Sequence, residues 1–373
     1  MPADRSAEAR DRPRFGERLE RAIGWLLLRL PARALIALAG SAPLAIDGQR
    51  LDPGVHLLRA ARAKRVRHGL IEPTIAIGRA RYRRDARAFV GPRTRVGAVR
   101  DLAVAGAAGP LGARLYRPAA ASDDGSLLVY LHGGGFVIGD LDTHDEPCRM
   151  ICRHARTAVL SVAYRLAPEH PFPAAVDDAL AAWRWVRANA ATLGSDPARI
   201  TIGGDSAGGN LATVVSLLTA RSGEAPAAQL LIYPAVDPVT TRRSRELFAS
   251  GLFLTMRDVE AFEHAYRGAR TGDAKDPRVA PLLAAELHGL PPALVITAGF
   301  DVLRDEGEAY AAAMEAAGNT VRLRRFSSLT HGFIHMTDVS PAARRAMHEV
   351  GHEFRALIDA SRTSGREPQV AAR

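Results

Sequence analysis

The residue best suited to chemistry is a serine inside a run of small residues, Gly204-Asp205-Ser206-Ala207-Gly208, which reads G-x-S-x-G. It directly follows the apolar run RITIGG and precedes AGGNLATVVSLLTA, which reads as a helix. A serine so placed sits on a sharp strand-to-helix turn, and its neighbours must be small because larger side chains would collide there. Its Oγ can attack a carbonyl carbon, provided that a base takes its proton. Upstream, His132-Gly133-Gly134-Gly135-Phe136 follows the strand-like SLLVYLH. Consecutive glycines let backbone N–H groups point at a substrate oxygen and stabilise the anion that develops on it. The N–H groups of Gly133 and Gly134, joined by that of Ala207, are therefore the expected oxyanion hole, and His132 shapes the loop instead of acting as a base.

A serine is a poor nucleophile at neutral pH unless a histidine, held in the right tautomer by a carboxylate, serves as base. When the serine lies on such a turn, the acid follows it in the chain and the histidine follows the acid, each on a loop after a strand. Asp301 comes just after ALVITAG, and His331 follows VRLRRF by the short loop SSLT. Both competitors have other readings. Asp305 opens the helix pattern DEGEAYAAAMEAAG, where an acid favours the helix dipole. His335, four residues past His331, belongs to the helix or turn leading away.

These residues need a rigid frame. From about residue 94 the chain alternates strands and helices, with candidate strands at 112–118, 126–132, 158–164, 199–204, 229–234, 293–299 and 321–326. Helical patterns cover 174–190, 206–221, 305–317 and 341–360, and EPCRMICRHA also reads as helix. Short apolar runs between helices predict a doubly wound α/β architecture with a mostly parallel central sheet, whose ligands lie beyond the carboxyl ends of the strands. Two stretches break the rhythm, 1–93 and 237–288, and both are assigned to a helical cap over the sheet. The expected division is an N-terminal helical cap segment over 1–93, a catalytic domain over 94–362 with the cap insertion at about 237–288, and a disordered tail over 363–373.

The chain has 373 residues, 47% of them hydrophobic and 24% charged, with a mean hydropathy near zero, which excludes fibrous and disordered classes. Its net charge of +10 is lopsided: residues 1–100 hold 22 Arg or Lys against 9 Asp or Glu, so the remainder is slightly acidic. No zinc-finger spacing or aromatic RNA-binding motif accompanies the charge, so no nucleic-acid partner is expected. A solvated basic face is the plainer reading, with contact to an anionic membrane surface as the alternative. The apolar stretch from Trp25 to Ala45 is interrupted by Arg29, Pro31 and Arg33, too early for a membrane span, and reads as an amphipathic helix pair. Cys148 and Cys152 lie four apart on the expected helix, poor geometry for a disulfide, and read as buried free thiols of a reducing, cytoplasmic protein.

The chain resembles the bacterial hormone-sensitive-lipase-like esterases over about residues 100–360. The resemblance rests on HGGGFVIGD (132–140), YRLAPEHPFPAAVDD (164–178), GGDSAGGNLA (203–212), DVLRDEGEAY (301–310) and HGF (331–333), in that order. It implies the α/β-hydrolase fold and the triad Ser206, Asp301 and His331. It also implies the oxyanion hole named above, a cap from the N-terminal helices and the later insertion, no cofactor or metal, and hydrolysis of short- to medium-chain acyl esters. Two departures stand out: Ala163 replaces the family's usual Asp before Tyr164, and Val302 stands where Pro often follows the acid. An amidase, carbamate hydrolase or acyltransferase could use the same site. A non-catalytic receptor would ordinarily have lost a triad member, and a membrane-interface protein would act through residues 1–93. Oligomeric state, a homodimer included, is left open.

Overall fold

The computed structural model describes residues 29–65, 68–88, 93–120, 123–268 and 274–364. The N-terminal part contributes α1 (Ala32–Ala39), a two-residue ladder of β1 (Ala45–Ile46) with β2 (Gln49–Arg50), α2 (Pro53–Arg65) and α3 (Ile75–Ala88). Of the expected amphipathic pair only α1 is described; of the expected tail, residues 363 and 364 are still helical, and 365–373 lie outside the described residues. Among the described residues, no helix is long and apolar enough to cross a membrane.

The body is an eight-stranded sheet in the order β10-β9-β8-β7-β5-β6-β4-β3. Its strands are β3 (Ala98–Gly106), β4 (Gly109–Arg117), β5 (Leu127–Leu131), β6 (Ala158–Val162), β7 (Ile200–Asp205), β8 (Gln229–Ile232), β9 (Ala293–Phe300) and β10 (Val321–Thr330). Strands β5 to β10 run parallel, while β4 lies antiparallel to both β3 and β6. All residues of β5 to β9 are buried, as continuous apolar runs in a sheet covered on both faces should be. The covering helices are α4 (Asp145–Ala155), α5 (Ala174–Ala188), α6 (Ala207–Thr219), α9 (Arg304–Ala316) and α10 (Pro341–Ser364), with α10 packed along α4 and α5 against α6.

Two expectations need correction. Strand β3 has no counterpart in the sequence reading because AVRDLAVAG is an edge strand, exposed at most positions, and lacks an apolar alternation. The loop expected between VRLRRF and His331 is strand: β10 continues to Thr330 across a register irregularity, and Thr330 pairs with Phe300.

The chain runs from β5 to β6 on one side and then returns to β7 on the other side of β5. In an open α/β sheet, ligands bind at such a reversal, outside the carboxyl ends of the strands. Here those ends deliver the glycine loop after β5 and Ser206 after β7. The insertion holds α7 (Arg243–Leu247) and α8 (Met256–Arg267). Helix α8 begins with a capping box between Thr255 and Asp258 and turns Val259, Phe262, Glu263 and Tyr266 toward the same place.

Candidate active site

Ser206 has φ 54° and ψ −117°, a conformation that a side-chain-bearing residue adopts only under constraint. Its N–H donates to Ile232 O at 2.8 Å. The two framing glycines are required by space: a Cβ on Gly204 or on Gly208 would overlap Leu131 O. The elbow thus presses against the end of β5, and α6 starts immediately behind the serine.

His331 Nε2 lies 3.1 Å from Ser206 Oγ, and His331 Nδ1 lies 2.8 Å from Asp301 Oδ2. Asp301 is buried, and its other oxygen accepts the Leu303 N–H at 2.9 Å, which pins the carboxylate's orientation. The Tyr233 ring lies 4.4 Å from the imidazole. The structure brings Ser206, Asp301 and His331 together from three separate loops.

Asp305 is occupied elsewhere, accepting from Ser244 N at 2.7 Å and from Arg304 Nε at 2.8 Å. His335 lies, as expected, in the short turn Phe333–His335 that follows His331, and it also faces the cavity and meets Tyr82 Oη at 3.0 Å. Burial, with His144 next, pushes His335 down to about 3, so it stays neutral near pH 7. His132 stacks on Tyr164 at 4.4 Å with Nδ1 2.8 Å from Gly133 O, and burial lowers it to about 4. It is a loop-shaping residue.

The glycine loop departs from expectation at one position. The Gly133 N–H donates to Asp205 Oδ1 at 2.9 Å, so this amide is committed to a carboxylate and cannot also serve an oxyanion. Gly134, Gly135 and Ala207 line the cavity; Gly133 does not. Sequence spacing could not reveal this, because the competing acceptor comes from β7. Burial by itself would raise Asp205, but the adjacent His144 ring, His335 and the Tyr130 hydroxyl at 2.8 Å hold it below the ordinary carboxylate range.

Ser206 and His331 open into a cavity of about 180 Å³. Its walls are mainly apolar, with Phe253, Val259 and Phe262 from the insertion, Leu70 and Tyr82 from the N-terminal part, and Ile138 and Met336 from the body. A buried ion pair unforeseen from sequence also reaches it. Arg245 donates to Glu306 Oε2 at 2.8 Å, while Glu306 Oε1 accepts from the N–H groups of Val236 and Asp237. Burial pushes Glu306 up to about 7 against the pull of Arg245 and those amides.

The two departures from the expected motifs are accommodated locally. Beside Ala163, Arg165 forms a two-pronged pair with Asp178 at 2.7 and 2.9 Å. Val302 is buried, and its carbonyl accepts from Ser244 Oγ at 2.9 Å.

Residues 128–335 match a family model described as the alpha/beta hydrolase fold. The chain is 44% identical over 336 residues to the carboxylic ester hydrolase LipN of Mycobacterium tuberculosis, covering 88% of this chain and 89% of that one. It is 42% identical over 232 residues to ethyl acetate hydrolase of Pseudomonas putida, 61% of this chain and 72% of the relative. Among solved structures, an ester hydrolase from the metagenome of Lake Arreo, complexed with a bipyridine phosphonate derivative, superposes with a TM-score of 0.79 at 40% identity. That match spans 83% of this chain and 99% of the other. A hyperthermophilic esterase from Pyrobaculum calidifontis matches with a TM-score of 0.76 at 36% identity, over 82% and 98% of the two chains. With the fold, the elbow and these relatives in agreement, the chain belongs to the α/β-hydrolase family, within the hormone-sensitive-lipase-like esterases.

Proposed function

We propose that this chain is a serine carboxylesterase that hydrolyses short- to medium-chain acyl esters through an acyl-enzyme. The observation that carries the reading is His331 bridging Ser206 and Asp301 at 3.1 and 2.8 Å beside an apolar cavity. Ser206 Oγ attacks the ester carbonyl as His331 Nε2 takes its proton, and Asp301 stabilises the imidazolium. Collapse of the tetrahedral intermediate breaks the acyl–oxygen bond, and the same proton leaves with the alcohol. Water, deprotonated by His331, then attacks the acyl carbon; the Ser206 Oγ–acyl bond breaks, His331 returns the proton to Oγ, and the acid is released. The developing oxyanion is served by the N–H groups of Gly134 and Ala207, with that of Gly135 close by.

Cavities that enclose drug-sized ligands run about 300–1,000 Å³. One of about 180 Å³ suits a shorter acyl group. Residues 94–362 are proposed as the catalytic domain, and 1–93 with 237–288 as its cap. The two buried free thiols favour the cytoplasm. No cofactor enters these steps.

Chromogenic esters from acetyl to palmitoyl, each compared with its matched amide, test the reading. Turnover should peak at short to medium acyl chains and favour the ester; a peak at long insoluble chains or faster amide cleavage overturns it. Ser206→Ala should lower kcat by about a million-fold, since a triad acts as a unit.

A further inference from the structure

Beneath the elbow lies a group of buried side chains that the triad does not use. Asp205, next to the nucleophile, turns Oδ1 toward His144, whose Nε2 lies 3.3 Å away. The two are out of hydrogen-bonding alignment, and His144 Nε2 has no hydrogen-bond partner despite complete burial. The other ring nitrogen of His144 is held 2.9 Å from Thr143 Oγ1. His335, whose ring meets that of His144 edge-on at 4.7 Å, repeats the pattern. Its Nε2 is held by Tyr82 Oη at 3.0 Å, and its buried Nδ1 has no partner. One ligand atom from each of His144, Asp205 and His335 lies within 4.8 Å of the others.

Two buried imidazoles, each with one nitrogen anchored by a hydroxyl and the other making no hydrogen bond beside a carboxylate, have the form of a ligand set. A metal-bound histidine ordinarily has its second nitrogen fixed in this way. Nitrogen and oxygen ligands bound to zinc at about 2.0–2.1 Å in tetrahedral geometry stand about 3.3 Å apart. That is the separation of His144 Nε2 from Asp205 Oδ1. Asp205 and His335 also line the cavity, which provides an entry route and leaves a fourth position for water. No sequence motif announces the set, because its members stand at 144, 205 and 335.

We propose that His144, Asp205 and His335 bind a zinc-class divalent cation behind the nucleophile. Asp205 Oδ1 already accepts from the Gly133 amide and the Tyr130 hydroxyl, so a cation there competes with the contact that holds the glycine loop. Occupation therefore slows the esterase. The binding stands independently of the proposed reaction; only the inhibition rests on it.

The test uses the full-length protein, stripped with a chelator and titrated with Zn²⁺ by calorimetry and with Co²⁺ by visible absorption. One ion per chain should bind, with the strong d–d bands of a four-coordinate site, and zinc should inhibit ester cleavage. His144→Gln and His335→Gln should lose that ion, while His331→Ala should keep it, separating this site from the triad. Tyr82→Phe, which removes only an anchoring hydroxyl, should weaken binding about 10- to 100-fold. It serves as the test should the glutamine variants fail to fold by circular dichroism. Absence of stoichiometric binding by the wild type overturns the proposal, as does binding unchanged in Tyr82→Phe. So does binding that survives both glutamine variants, or that disappears instead in His331→Ala or in a variant of the surface group His154, His348 and His352.

Discussion

Asp205 precedes Ser206 in the chain, and its carboxylate accepts the Gly133 N–H at 2.9 Å. Asp205 is carried by β7, and through its Oδ1 it ties the β5 loop to the elbow. A Cβ added at Gly133 would overlap Asp205 Oδ2 and crowd Asp205 O, which is backbone and cannot yield. Gly133→Ala should therefore push the loop off its position and misdirect the Gly134 amide. Losing one oxyanion donor costs about 100- to 1,000-fold in kcat. Steady-state kinetics should show a fall of that order with KM little changed, although the Gly133 amide itself faces no substrate. The G-x-S-x-G spacing made Ser206 legible in the sequence. It left the function of the intervening Asp205 unread, because that depends on a glycine 72 residues earlier.

Helix α4 approaches α10 closely because Gly351 has no side chain; a Cβ there would overlap the Cβ of His154. The His154 ring then lies 4.1 Å from that of His348, tilted by 32°, and 5.7 Å from that of His352, both on α10. Burial lowers His154 to about 4, with His348, His352 and Arg153 adding to the shift. A depressed histidine is neutral in the native state while the unfolded chain takes up a proton near its ordinary pKa of about 6.5. Below that pH the unfolded state binds more protons, so stability falls with acidification from about 6.5 down to about 4. His154→Asn should flatten this loss: urea midpoints measured across that window should fall less steeply for the variant, and the two proteins should respond alike above it. The helices themselves were plain from their apolar periodicity. Their seam was not, since nothing local relates position 154 to 348 and 352.

Two segments far apart in the chain both line the cavity beside Ser206 and fasten to each other as well as to the body. Asp258 on α8 accepts the Leu70 N–H at 2.6 Å while capping its own helix through Thr255, and Arg257 pairs with Glu72 at 2.7 Å. From α3, Arg79 donates to the carbonyls of Val137 and Ala167 at 2.8 and 2.9 Å and pairs with Glu169. Asp258→Ala removes a helix cap and the tie between the two segments together. Loss of a cap alone typically costs about 0.5–2 kcal/mol. The thermal midpoint should drop, and KM for the preferred ester should rise more than kcat falls, both measurable on the purified variant. The sequence by itself determined the alternation of strands and helices, the order Ser206, Asp301, His331 and the small residues around the elbow, because each follows from local sterics or short-range periodicity. The tertiary structure alone decided that the Gly133 amide is spent on Asp205, that His335 turns into the cavity and that Arg245 meets Glu306 there. Those outcomes depend on which loops the strand order brings side by side, and spacing along the chain carries no record of distances across a sheet.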